Sequence, residues 1–87
     1  MARVEVYTTR TCPYCVRAKR LLEERGVPFE EIDVGDDDEL LADLIRRTGR
    51  RTVPQIFIDG KSIGGYEELH ALDSSAELTV MLKGNGA

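Results

Sequence analysis

The sequence predicts an α/β domain, a four-stranded mixed sheet flanked by helices, with residues 1–87 forming one unit. Three observations predict it. The only two cysteines stand as Cys12-Pro13-Tyr14-Cys15, after the short apolar run Val4–Tyr7 and at the head of a helical pattern. Phe29–Val34 then resumes a strand-like alternation, so strand, helix and strand make a β-α-β unit with parallel strands. Asp59-Gly60, set between Ile56-Phe57-Ile58 and Lys61–Ile63, is a hairpin signal that adds an antiparallel pair.

Each element has a local reason. Pro13 suits the first helical position, where its missing N–H is not needed. The first helix then carries Cys15, Ala18, Leu21 and Leu22 on one face. Gly26 ends it and Pro28 prevents its continuation. Phe29–Val34 is the second strand, with Glu31 outward and Ile32 and Val34 partly inward. Asp36–Glu39 places acid at the start of a second helix, where the dipole favours it. Its apolar stripe is Leu40, Leu41, Leu44 and Ile45, and Gly49 caps it. Gln55–Asp59 and Lys61–Ile63 are the third and fourth strands, broken by Gly64-Gly65. Tyr66–Leu72 is a short helix. Ser74 and Glu77 have capping-box spacing for a last helix bearing Leu78, Met81 and Leu82, followed by a frayed tail over 83–87.

Composition narrows the function classes. No run of about 18 apolar residues exists, so no membrane span is expected. The N-terminal residues lack the apolar stretch of a secretory signal, which points to the cytoplasm. In a reducing compartment a lone cysteine pair is not a structural staple, and closing so short a gap would remove little loop entropy. The net charge of −4 argues against general nucleic-acid binding. The charges are unevenly spread. Residues 10–20 hold Arg10, Arg17, Lys19 and Arg20 with no acid, and 46–51 hold Arg46, Arg47, Arg50 and Arg51 with none. Residues 23–43 carry ten acids and one base. These charges read first as solvated helix faces, and more sharply as a positive surround for a thiol.

The chemistry centres on the cysteine pair. Cys12 precedes the first helical residue, where free backbone N–H groups and the positive end of the dipole favour a thiolate. A sulfur so placed is readily expelled from a mixed disulfide, which suits a thiol that is linked and released in every cycle. Cys15, one turn deeper, fits a resolving role. A zinc site would need two more ligands, and His70 with scattered carboxylates lacks the spacing, so no metal is expected. His70 reads as a helix-surface residue.

Two further segments align with this pair. Thr52-Val53-Pro54 puts a proline just before a strand, where it removes no ladder bond, and a trans bond is the default there. Gly64-Gly65-Tyr66-Glu67-Glu68 puts two glycines before a helix start, where backbone amides can hold a carboxylate and Glu68 can receive an ammonium.

Together these three segments resemble a dithiol, bacterial-type glutaredoxin, over nearly the whole chain from Val4 to about Leu82. The resemblance implies a thioredoxin fold with strand order 2-1-3-4 and a cis Val53–Pro54 bond. It implies glutathione as co-substrate and electron donor, with glutathionylated or disulfide-containing proteins as substrates. By position, Cys12 is the nucleophile and Cys15 the resolving thiol. Tyr14 flanks glutathione, and Thr52 and Val53 bind its cysteinyl backbone beside Pro54. Gly65 and Tyr66 also bind glutathione, and the Glu67 amide and the Glu68 side chain take its γ-glutamyl end. Three positions depart from the pattern: Thr9 where lysine is usual, Leu41 where glutamine or arginine is usual, and Glu67-Glu68 where aspartate is usual. Tyr66 also stands where a small residue is often found. Arg10, or an arginine from 46–51, is expected to replace the missing partners of the glycyl carboxylate.

Two alternatives accompany this reading. One is a redoxin recycled by a thioredoxin reductase and serving ribonucleotide reductase. The other is an iron–sulfur carrier in which Cys12 and glutathione bridge a cluster between subunits, although Pro13 stiffens the loop and Cys15 competes for oxidation. A monomer is expected for the oxidoreductase.

Overall fold

A computed structural model describes residues 3–78 and 80 of the chain. The order is β1 (Val4–Thr8), α1 (Pro13–Glu24), β2 (Glu30–Asp33), α2 (Asp38–Thr48), β3 (Gln55–Ile58), β4 (Lys61–Gly64) and α3 (Tyr66–Ser74). The strands form one sheet in the order β2-β1-β3-β4. β1 pairs parallel with β2, bringing Tyr7 opposite Ile32, and antiparallel with β3, bringing Val6 opposite Ile56. β3 and β4 are antiparallel and joined by Asp59-Gly60, both at positive φ (52° and 80°), as a two-residue hairpin turn requires. The pairing jumps from Ile56–Gly64 to Phe57–Ser62, so Ile63 is an extra residue that bends β4.

Strand alternation divides the interior in two. Val4, Val6, Ile56 and Ile58 face α1 and α3, where Ala18, Leu21, Leu22 and Leu69 close the larger core. Tyr7 and Phe57 face the other way and meet Leu44 of α2 with Val34. Tyr7 and Phe57 contact edge to face, 5.4 Å between centroids. The central strands are buried by helices on both sides, and this layering gives the sheet the mixed α/β class expected from the sequence.

Four local expectations are corrected. Of the proposed α2 stripe, only Leu44 is buried; Leu41 and Ile45 are half-buried and Leu40 is exposed. The sheet face beneath α2 is small, and the Arg47 guanidinium, 4.2 Å from the Phe57 ring centre, covers part of it. Phe29 lies before β2 rather than in it, half-buried against the larger core. β3 stops at Ile58 because Asp59 already turns into the hairpin. Ser74 is not an N-cap: α3 runs through it, and the chain reverses at Ser75 and Ala76, the latter at φ 66°. There the Ser75 hydroxyl accepts a 3.4 Å bond from the Glu77 N–H, and Leu78 is buried. Met81, Leu82 and the 83–87 tail lie outside the described residues. Gly49 caps α2 at φ 72°, and His70 is exposed on α3, as expected.

Candidate functional site: a cysteine pair beside a loop-lined cavity

Cys12 is the N-cap of α1, with extended backbone (φ −106°, ψ 105°) and Pro13 at the first helical position. Its Sγ accepts a 3.1 Å bond from the Cys15 N–H and lies 3.4 Å from the Val53 carbonyl oxygen, to which the thiol donates. The helix start therefore aims a backbone donor at this sulfur, and β3's leading loop supplies the opposite wall. Both cysteines are free thiols. Cys12 is half-buried, while Cys15 is 1% exposed. Burial pushes the Cys15 thiol up to about 12, and the hydrogen bond and charge of Cys12 add to that rise. A Thr9 backbone hydrogen bond and the Lys19 charge oppose it. The two sulfurs of one motif are thus held in opposite environments.

A cavity of about 350 Å³ opens beside Cys12. It is lined by Tyr14 of α1, by Thr52, Val53 and Pro54 ahead of β3, and by Gly65, Tyr66, Glu67 and Glu68 at the start of α3. The eight residues that the resemblance grouped by position are therefore grouped in space. The Val53–Pro54 bond is cis. The loop holding it is braced from inside: Gln55, 1% exposed, donates its Nε2 to the Thr52 carbonyl (2.9 Å) and hydroxyl (3.3 Å). Tyr14 is 52% exposed at the rim, with the Arg17 guanidinium 5.3 Å from its ring centre and the Tyr66 ring 6.1 Å away.

The glycine pair has a defined task. Glu68 reaches back so that its Oε1 accepts from the Gly65 N–H at 2.8 Å, half of a capping box at the start of α3. A side chain on Gly64 would collide with that carboxylate, and Gly64 also sits at φ 105°. The Arg50 guanidinium donates to the same oxygen at 3.1 Å. The Gly65 N–H, and with it the Arg50 guanidinium, hold the Glu68 carboxyl below the ordinary carboxylate range. This leaves a fixed carboxylate, paired with Arg50, in the cavity wall.

Arg10 is placed elsewhere. It pairs with Asp36 at 2.8 Å and Asp33 at 3.7 Å and does not line the cavity. Within the second basic cluster, Arg46 pairs with Asp43, and Arg47 packs on Phe57 while donating to the Tyr7 hydroxyl at 3.0 Å. Arg50 is the member that reaches the cavity. Sequence reasoning named it only as one of a group; its offset of two residues from Thr52 was the available signal.

A sulfur at a helix start, a buried second thiol three residues on and a cis-proline loop against the first define a protein of the thiol–disulfide exchange class. The glutaredoxin family profile matches residues 4–63. The chain is 51% identical over 83 residues to Glutaredoxin 3 of Escherichia coli K12, covering 95% of this chain and all of that one. It is 48% identical to a glutaredoxin of Pseudomonas aeruginosa, over 94% of this chain and 98% of that one. Among solved structures, a buckwheat glutaredoxin–glutathione complex superposes with a TM-score of 0.88 at 32% identity, over 99% of this chain and 81% of that one. A glutaredoxin from Brucella melitensis gives 0.86 at 46% identity, over 95% and 90%. The chain belongs to the glutaredoxin family and has the thioredoxin fold, and its activity class is thiol–disulfide oxidoreductase. Among the described residues no helix is long and apolar enough to cross a membrane, and no group of three or more His, Cys, Asp or Glu side chains is placed to hold a metal ion.

Proposed function

We propose that this chain is a glutathione-dependent oxidoreductase that reduces glutathionyl mixed disulfides and protein disulfides in the cytoplasm, acting as a monomer. The observation that carries the reading is the inequality of the two sulfurs, one half-buried and one buried, beside a cavity walled in part by the Glu68 carboxylate. Cys12 attacks the disulfide and keeps the glutathionyl group. A second glutathione thiolate then attacks the glutathionyl sulfur, Cys12 Sγ leaves with the bonding pair, and glutathione disulfide is released. When the captured partner is a protein, Cys15 displaces it instead. The Thr52–Val53 backbone flanks the captured cysteinyl unit, and Glu68 offers its carboxylate to the γ-glutamyl ammonium. The glutathione found with the buckwheat relative supports this assignment.

The test is Cys15→Ser. It is expected to retain removal of glutathione from a glutathionylated peptide and to lose most reduction of a protein disulfide. Equal loss of both activities would remove the division of labour. A coupled assay with glutathione or thioredoxin reductase as donor decides between this reading and the ribonucleotide reductase alternative.

A further inference from the structure

Cys15 poses a chemical problem that the cavity does not solve. It is buried, its thiol sits beneath Cys12, and to resolve a mixed disulfide it must act as a thiolate. One turn further along α1, on the same helix face, stands Lys19. Its side chain is 29% exposed and its Nζ is fixed 2.9 Å from Glu31 Oε2. Glu31 belongs to β2, and the same oxygen accepts a 2.9 Å bond from the hydroxyl of Thr8, 1% exposed at the end of β1. Lys19 is held to β2 by a 2.9 Å hydrogen bond, whereas Arg17 lies on Tyr14 and Arg10 pairs with Asp36 at 2.8 Å and, at a longer 3.7 Å, with Asp33.

We propose that Lys19, anchored through Glu31 to Thr8, is a positioning residue that makes the buried Cys15 sulfur a competent nucleophile in the resolving step. The proposal rests on the division of roles between Cys12 and Cys15 given above. In that step Cys15 Sγ gives up its proton and bonds to Cys12 Sγ. The bond between Cys12 and the substrate sulfur breaks, and the departing sulfur takes the electron pair and the released proton. The substrate is reduced to a thiol and the cysteine pair is oxidised to a disulfide.

Substrate capture itself prepares the step. Once Cys12 Sγ is tied to a substrate, its charge and its hydrogen bond to the Cys15 thiol are gone, and both had opposed the thiolate. What then favours it is the Thr9 backbone and Lys19. The other charges facing this site are acidic: Glu31 and, more remotely, Glu23 and Asp33. Lys19 is thus the positive charge at the site, and Glu31 holds it in place while partly offsetting it.

The opposite signs of these two charges give the test. Reduced protein is mixed with Ellman's reagent, and thionitrobenzoate release is followed by stopped flow. The first release reports Cys12 attack and the second reports Cys15 resolving. Lys19→Met should leave the first phase unchanged, slow the second roughly three- to tenfold and move its pH profile alkaline. Lys19→Arg should restore the second phase. Glu31→Gln should speed it, because a counter-charge is removed. An unchanged second phase in Lys19→Met overturns the proposal. So does a Glu31→Gln variant slowed as much as Lys19→Met, since the pair would then serve only as a brace. Cys15→Ser is the control for the parent reading: a second phase that survives in it refutes the assignment of Cys15 itself.

Discussion

Cys12 and Cys15 are three residues apart and chemically distant. One caps a helix at the mouth of a cavity, and the other is sealed beneath it with its thiol pushed up to about 12. At neutral pH, iodoacetamide should therefore add one group per reduced chain and two per chain in denaturant, read by intact mass. Two additions to the native protein would contradict the burial of Cys15. Arg50 and Arg10 separate in the same way. Arg50 lies at the cavity against Glu68, and Arg10 pairs with Asp36 outside it. Arg50→Gln should raise KM for a glutathionylated peptide about three- to fivefold, as suits a partly exposed charge, with little change in kcat. Arg10→Ala should leave KM unchanged; the reverse pattern would return the role to Arg10.

At the scale of elements, α1 is fastened to α3 by a two-point contact, with Arg25 Nε and a terminal nitrogen donating to the two oxygens of Asp73 at 2.8 and 2.9 Å. Hydrogen bonding from Arg25 holds the Asp73 carboxyl below its ordinary range. A depressed carboxyl stabilises the fold above the unfolded value, about 4, and loses that contribution as the pH falls through the folded one. Asp73→Asn should lower Tm by a few degrees at pH 7, and the gap should narrow as the pH falls below the ordinary carboxyl value of about 4; a constant gap would mean that packing, not charge, is responsible. The elements themselves were largely legible. Gly49, Pro13 and Asp59-Gly60 each impose a backbone geometry that only local chemistry decides. Leu40 and Ser74 were misread because their fates are tertiary. Leu40 fits a helical stripe but finds no sheet beneath it, and Ser74 could cap a helix only if α3 had already ended. Arg47 was legible as a charge but not as the lid of Phe57, since no local pattern places a guanidinium on a ring in another strand.

The whole molecule is one sheet with two unequal interiors. The larger, between the sheet and α1 with α3, supports the cysteine loop from behind. The smaller contains four buried residues, Tyr7, Val34, Leu44 and Phe57, and is completed by Arg47. Removing that cover should matter more than its exposed position suggests. Arg47→Ala is expected to cost about 1 kcal/mol through lost ring contact and lost stem packing, a Tm decrease of roughly 4–8 °C by thermal melt. An unchanged Tm would show that the ring contacts contribute nothing. The site was readable at this scale because three separate segments converge on it; which arginine reaches it was not, because α2's orientation selects Arg50 from four similar residues.

β2 is one of the two edge strands of the sheet, and its exposed Glu30, Glu31 and Asp33 lie along an edge that is unpaired among the described residues. Like charges on such an edge keep a second chain from extending the sheet. Glu31 also grips Lys19 and Thr8, so the guard against self-association and the tether of an active-site charge are one side chain. Surface redesign for solubility or crystal growth can alter Glu30, whose contact is the exposed Arg3, with little risk to turnover. At Glu31 the same edit would change colloidal behaviour and redox rate together.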